Sequence, residues 1–330
     1  MNDLPARTSA HMQFDDNRLL SLLFGEHDQH LAKLERELGV VMATRGNILS
    51  IEGPNGAVTS AKQILSQLYR RIKAGETIAK ADIEASLRLS KSEEISEPHL
   101  FGPEFRDSLL IRTPRRQITP RSGGQARYIR TLQEKELVFG LGPAGTGKTY
   151  LAVAAAVAGL NKGQFERIIL SRPAVEAGER LGFLPGDLKE KVDPYLRPLY
   201  DALYDMMPAE QVTKKLLSGE IEIAPLAFMR GRTLAHSFII LDEAQNTTPM
   251  QMKMFLTRLG EGAQMAITGD LSQIDLPPGV KSGLIDALDA VKDLADIGVV
   301  RFNETDVVRH SLVAKIVVAY DQRDKKTKMG

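Results

Sequence analysis

Residues Gly142 to Thr149 read GPAGTGKT, a pattern whose chemistry is the holding of phosphates. Its glycines let successive backbone N–H groups curl toward an anion, and a helix opening at Lys148 adds the partial positive charge of its N-terminus. Gly142, Pro143, Ala144, Gly145, Thr146 and Gly147 are read as the cradle. Lys148 is placed to reach the β- and γ-phosphates, Thr149 to offer a hydroxyl to Mg²⁺, and Tyr150 continues the site. Further on, the apolar run Phe238 to Leu241 delivers Asp242 and Glu243. Ligands of open α/β sheets bind at the carboxyl ends of strands, so Asp242 is read as the second Mg²⁺ ligand and Glu243 as the base for an attacking water. A third run, AQMAITG, ends in Asp270-Leu271-Ser272-Gln273. Gln273 then falls one strand from the acid pair, where an amide could touch the γ-phosphate or the water.

The elements that must position these groups are legible around them. LVFGLG (137–142), RIILSR (167–172), SFIILDE (237–243), AQMAITG (263–269) and GVVRFN (298–303) are near-continuous apolar runs. Between them lie helix-like segments, Lys148 to Leu160, Pro249 to Leu259 and Gly283 to Ala295. Strands buried on both faces and alternating with helices predict an α/β, doubly wound, mostly parallel sheet, and the GPAGTGKT loop between its first strand and helix makes it one of the P-loop NTPase kind. Residues 173–236 exceed a simple crossover, and one more strand, IEIAPLAF, is expected within them.

Upstream, residues 19–74 read as strand (LLSLLFG), helix, strand, strand, helix, with a turn at Arg45-Gly46-Asn47, hence a small α+β domain over residues 1–100. Arg106 to Arg130 holds seven arginines and one acid, broken by Pro114, Pro120 and Ser122-Gly123-Gly124. Such composition predicts an interdomain linker, assigned to residues 101–116, either simply solvated or acting as a strap for phosphates. The P-loop domain is then residues 117–330.

The chain carries 43 basic against 42 acidic residues, so any polyanion site must be local. It has no cysteine, which excludes a disulfide framework, a zinc–thiolate site and a cysteine nucleophile. The longest apolar stretch, Leu151 to Leu160, is about half of the ~20 residues that a membrane span requires. With no signal-peptide core at the N-terminus, a cytoplasmic location and no membrane association are expected.

The segments ITPRSGGQARYIRTLQEKELVFGLGPAGTGKTYLAV, LSRPAVEAGERLGFLPGDLKEKVDPYLRPLYDAL, FMRGRTLAHSFIILDEAQNTTPMQMKMFLTRLG, ITGDLSQIDLP and DVVRHSLVAKIV resemble, in succession, the PhoH-like family, ATPases related to superfamily 1 helicases. The whole chain is similar to the bacterial branch with an N-terminal KH-like domain. The resemblance implies ATP as substrate with Mg²⁺, and it places Gln125 at an adenine-reading position, since an amide matches both the N6 donor and the N7 acceptor of adenine. It also places Arg172 and Arg309 at helicase-like positions. Arg309 is the candidate arginine finger, with Arg230 and Arg232 behind it, and is expected to act from a neighbouring subunit.

KH domains grip nucleic acid through a GXXG loop, whereas the corresponding turn here is Gly25-Glu26-His27-Asp28, acidic and without the second glycine. RNA binding and protein docking both stay open for that domain. Helicases of the class it resembles use two RecA-like cores, and only about one core's worth of chain lies between residues 130 and 330, so a homo-oligomer is expected to complete the sites; the resemblance implies a ring of six. Function is read as ATP hydrolysis in RNA metabolism: RNA remodelling, helicase-like action or rRNA maturation beside an rRNA-maturation endoribonuclease. The alternative is an ATP-switched adaptor that recruits a ribonuclease or ribosome-maturation factor without unwinding. A small-molecule kinase fits less well, because Glu243 beside Asp242 points to water as the nucleophile.

Overall fold

The computed structural model describes residues 7–75, 77–91, 108–173 and 188–308, with residues 313 and 316. These divide into two compact units. The first holds the described residues up to Ser108 together with Pro120–Gly123. The second holds Leu109–Thr119 and the described residues from Gly124 onward.

In the first unit the order is β1 (Arg7–Gln13), α1 (Leu20–Phe24), α2 (Gln29–Leu38), β2 (Val41–Arg45), β3 (Ile48–Pro54), α3 (Asn55–Lys73) and α4 (Lys80–Lys91). The strands form an antiparallel sheet in the order β1-β3-β2, the small α+β, KH-like architecture expected. Gly46 (φ 60°) turns β2 into β3 as read from Arg45-Gly46-Asn47. Leu34, Leu49, Ile51, Leu65 and Leu68 are fully buried in its core.

Two expectations fail here. LLSLLFG is helical, not extended: Leu20, Leu23 and Phe24 are the buried residues, at the i, i+3, i+4 spacing of one helix face. The edge strand β1 was not expected, because RTSAHMQ is polar and no residue in it is fully buried. Between α1 and α2, Gly25, His27 and Asp28 all have positive φ. His27 and Asp28 thus occupy backbone that glycine adopts more freely.

The second unit opens with a hairpin, β4 (Ile111–Arg112) and β5 (Gln117–Ile118). Residues 109–116, expected as linker, are therefore part of this unit. Ile111 and Ile118 are buried, and Arg115 N–H and Nη1 donate to the carbonyls of Met206 and Tyr204. Then follow α5 (Gly123–Glu134), β6 (Leu137–Leu141), α6 (Lys148–Asn161), β7 (Arg167–Arg172), α7 (Leu188–Met206), α8 (Ala209–Ser218), β8 (Ile221–Pro225), β9 (Ser237–Leu241), α9 (Pro249–Leu256), β10 (Gln264–Gly269), α10 (Gly283–Ala290) and β11 (Ile297–Arg301).

Six strands form one sheet, ordered β11-β6-β10-β9-β7-β8, and every neighbouring pair is parallel. β6 and β9 are buried along their whole length, which is why they read as unbroken apolar runs. α6 is a run of small residues: Ala152, Ala154 and Ala156 are fully buried, and Gly159 lies so close to Phe165 that a Cβ there would sit 2.7 Å from the ring. IEIAPLAF supplies the edge strand β8, and the helix from Gly283 ends at Ala290 rather than 295. Because all six strands run the same way, the residues that follow β6, β9 and β10 meet at one edge.

Candidate nucleotide site

The P-loop bends from β6 into α6 through Gly142 (φ 144°), Gly145 (φ 83°) and Gly147 (φ 85°). Gly142 is obligatory for a second reason: a Cβ there would lie 2.6 Å from the carbonyl oxygen of Phe302. Lys148 is buried and turned back on the loop, its Nζ donating to Gly142 O (2.6 Å) and Pro143 O (2.8 Å). The ammonium thus already stands at the loop that the phosphates would enter.

Thr149, the next residue, donates from Oγ1 to Asp242 Oδ1 at 2.6 Å, and Thr268 of β10 donates to the same oxygen at 2.7 Å. Asp242 is set by its own N–H, which donates to Ser171 O at 2.9 Å. A hydroxyl and a carboxylate in contact at the helix N-terminus are the hard oxygen donors that Mg²⁺ takes, with water and phosphate oxygens completing its shell. Thr149 and Asp242 therefore fit the ion expected from the sequence.

Glu243 has φ 53°, ψ 38°, left-handed backbone that a side-chain-bearing residue adopts at a cost. Its carboxylate is held from two sides, by Arg172 Nη2 (3.2 Å) and by Gln245 Nε2 (2.5 Å). Gln245 also donates to Gln273 O (3.1 Å) and accepts from Asp270 N–H (3.0 Å), so this almost fully buried amide joins the base to the loop after β10. Gln273 itself donates from Nε2 to Asp270 Oδ2 at 2.9 Å. Lys148, Thr149, Asp242, Glu243 and Gln273 line one cavity of about 580 Å³, together with Ala144, Gly145, Gly147, Tyr150 and Arg172.

Other expected residues take less direct places. Gln125 is buried and its Nε2 donates to Thr146 O at 2.9 Å, a contact with the P-loop backbone. Tyr150 lines the cavity and donates to Asp205 Oδ2 at 2.7 Å. Arg232 forms a two-pronged pair with Glu222 (2.5 and 2.7 Å), which holds that carboxyl below its usual range, so this arginine is engaged within its own subunit. Arg309 lies outside the described residues. The chain approaches it from Val308, whose N–H donates to Gly145 O at 3.0 Å.

Gln245 and Thr268 were missed from the sequence. The signal for Gln245 was its place two residues after the base in LDEAQN, where a 3-10 turn brings the amide back under Glu243. Tyr128, on α5, is fully buried with its ring against Gly140, and its phenol lacks a partner among the described residues. Burial, with the Asp242 charge adding to it, pushes that phenol far above its ordinary value and keeps it neutral.

A parallel sheet with a glycine cradle, an in-loop lysine, a threonine–aspartate pair and a following glutamate at one edge defines a P-loop NTPase-type nucleotide-binding domain. Family comparison agrees: residues 117–321 match the model of the PhoH-like protein family. The chain belongs to that family. It is 50% identical over 302 residues to the PhoH-like protein of Bacillus subtilis (strain 168), covering 92% of this chain and 94% of that one. It is 49% identical over 298 residues to the PhoH-like protein of Mycobacterium tuberculosis (strain ATCC 25618 / H37Rv), covering 90% and 84%. To Protein PhoH of Escherichia coli (strain K12) it is 46% identical over 205 residues, 62% of this chain and 58% of that one.

Proposed function

We propose that this protein hydrolyses ATP to ADP and phosphate with Mg²⁺ and uses the cycle in RNA metabolism, in RNA remodelling of a helicase-like kind or rRNA maturation. The observation that carries the hydrolytic part is the convergence of Lys148, Thr149, Asp242, Glu243 and Gln273 on one cavity. Loop N–H groups bind the phosphates, and Lys148 exchanges the carbonyls of Gly142 and Pro143 for β- and γ-phosphate oxygens. Mg²⁺, held by Thr149 and Asp242, supplies the charge that offsets the phosphates when bound. Glu243 accepts the proton of the attacking water, and Gln273, on the loop braced by Gln245, faces the same space.

The RNA role rests on the family resemblance and on the arginines around the hairpin, with the KH-like unit as a second surface. We further propose a homo-oligomer, a ring of six, because one core of this kind has no second core to move against. An rRNA-maturation endoribonuclease is the proposed protein partner and the cytoplasm the proposed location. None of the described helices is long and apolar enough to cross a membrane.

The deciding experiment measures ATP turnover with and without single-stranded RNA. RNA-stimulated turnover is expected. Turnover indifferent to RNA, with ATP-dependent capture of a ribonuclease, would favour the adaptor reading instead. Absence of any turnover by pure protein with Mg²⁺ and RNA would refute hydrolysis.

A further inference from the structure

We propose that Arg172 is the cation of the γ-phosphate side of the cavity, and that its ion pair with Glu243 holds the water-activating carboxylate at rest. The inference rests on the ATPase reading and deepens it by naming a residue. The backbone brings them close: Ser171 is in register with Leu241 and Asp242 N–H donates to Ser171 O, so Arg172, the last residue of β7, lies level with Asp242 and one residue short of Glu243. Arg172 therefore stands beside Glu243, at 3.2 Å, with its other terminal nitrogen on Tyr195 O of α7 at 3.0 Å.

Among the described residues that line the cavity, the cations are Lys148 and Arg172, and the remaining charges are carboxylates. Lys148 approaches from the P-loop, where its Nζ rests on Gly142 O and Pro143 O, and Arg172 from the end of β7. A γ-phosphate entering the cavity needs positive charge on its outer side, and Arg172 is what the wall offers there.

The ion pair is a single contact, with side chains 22% and 37% exposed, so solvent screens it and it is readily exchanged. A terminal phosphate carries more negative charge than one carboxylate and accepts the planar guanidinium fork through two oxygens. When ATP is bound, Arg172 moves from Glu243 to the γ-phosphate, which leaves Glu243 on Gln245 with an oxygen open to water. In the step that follows, a water oxygen bonds to the γ-phosphorus as the bond to the bridging oxygen breaks. ADP leaves with that electron pair and the water proton passes to Glu243.

The test uses the full chain. Wild type, Arg172→Ala, Arg172→Lys and Lys148→Ala are compared for ADP binding, for binding of Mg·ADP with aluminium fluoride as the transition-state mimic, and for single-turnover hydrolysis. Arg172→Ala is expected to bind ADP within about twofold of wild type, to lose the extra affinity for the aluminium fluoride complex, and to hydrolyse roughly 10³-fold or more slowly, the lower end for such a cation. Arg172→Lys, which keeps the charge and loses the fork, should recover part of both and covers the case that the alanine variant does not fold. Wild-type rates in both variants, or a lost rate with full aluminium fluoride affinity, overturns the proposal. If wild type itself does not hydrolyse ATP and matches Lys148→Ala, the ATPase reading falls. Hydrolysis that needs Lys148 but not Arg172 defeats the Arg172 assignment alone.

Discussion

Replacing Gln245 by alanine tests how the base and the loop after β10 are joined. The side chain is 1% exposed and makes contacts to Glu243, Gln273 O and Asp270 N–H. These do not count equally. Glu243 is part-exposed, so water replaces the lost partner there, and its share is small. The N–H of Asp270 is different, because Asp270 is buried at 7% exposure and water has little access. Leaving that donor unmet, plus the space vacated against Gly269, should cost about 2–3 kcal/mol in total. For a unit of this size that lowers the melting temperature by about 4–12 °C. Thermal unfolding followed by circular dichroism reads this directly. Gln245→Met refills the volume without an amide acceptor, so it should recover only the smaller, cavity part. If the methionine variant melts like wild type, the unmet Asp270 N–H is not the cause, and the reasoning fails. Turnover should fall in both variants, since Glu243 loses its second holder.

Lys148→Ala should abolish hydrolysis and weaken ATP binding, checked by fluorescent-nucleotide titration beside phosphate release; unchanged turnover would remove the P-loop assignment. Glu243→Gln should bind Mg·ATP like wild type and fail to turn over in the same pair of assays, because Asp242 and Thr149 keep the metal ligands. Asp15 accepts hydrogen bonds from Lys73 and Tyr69, which hold its carboxyl at about 2. Its folded value is depressed, so its stabilising effect is present above the unfolded value near 4 and is lost as pH falls from there toward 2. Asp15→Asn should flatten the acid limb of the melting curve of the N-terminal unit in that window. Tyr128→Phe removes a buried hydroxyl without a described partner and should leave stability unchanged or raise it by about 1 kcal/mol; a loss in the same melting assay would show that the hydroxyl is satisfied by bound water.

Motif-bearing strands were readable because burial on both faces demands apolar residue after apolar residue, as β6, β7, β9 and β10 show, whereas β11, at the sheet edge, reads apolar although Val299 is exposed. The acid pair and the P-loop were readable because their chemistry is local: neighbours in sequence are neighbours in space. What escaped is what local pattern does not encode. LLSLLF has too few residues for a period of 2 to be told from one of 3.6. Arg106 to Arg130 carries the composition of a linker, yet Ile111, Ile118, Tyr128 and Ile129 within it, with Leu132 just beyond, give the hairpin and α5 a buried side. The arginines between them hide that side by outnumbering it. Gln245 looked like one more polar residue after a strand, and only the turn through Glu243 aims it back.

Taken together, the P-loop contacts explain why residues far from GPAGTGKT belong to the site. A loop that aims its N–H groups at an anion must turn carbonyls away from it, and each carbonyl then needs a donor from elsewhere. Thr146 O receives Gln125 Nε2 from α5, Gly145 O receives Val308 N–H from beyond β11, and Gly147 O receives Leu151 N–H within α6. Gly142 is wedged against Phe302, and its N–H donates to Gly269 O of β10. Gln125, Leu151 and Gly269 lie in α5, α6 and β10, so these contacts can stay as they are when phosphate arrives. The carbonyls of Gly142 and Pro143 differ, for their donor is Lys148, whose flexible stem can carry the ammonium to the phosphates. The cradle is therefore fixed by α5, β10 and the chain after β11, while Lys148 is the mobile charge. On this account Gln125 acts first as a brace for the loop, and its loss should weaken binding of all nucleoside triphosphates alike, where a base-reading role would weaken ATP alone.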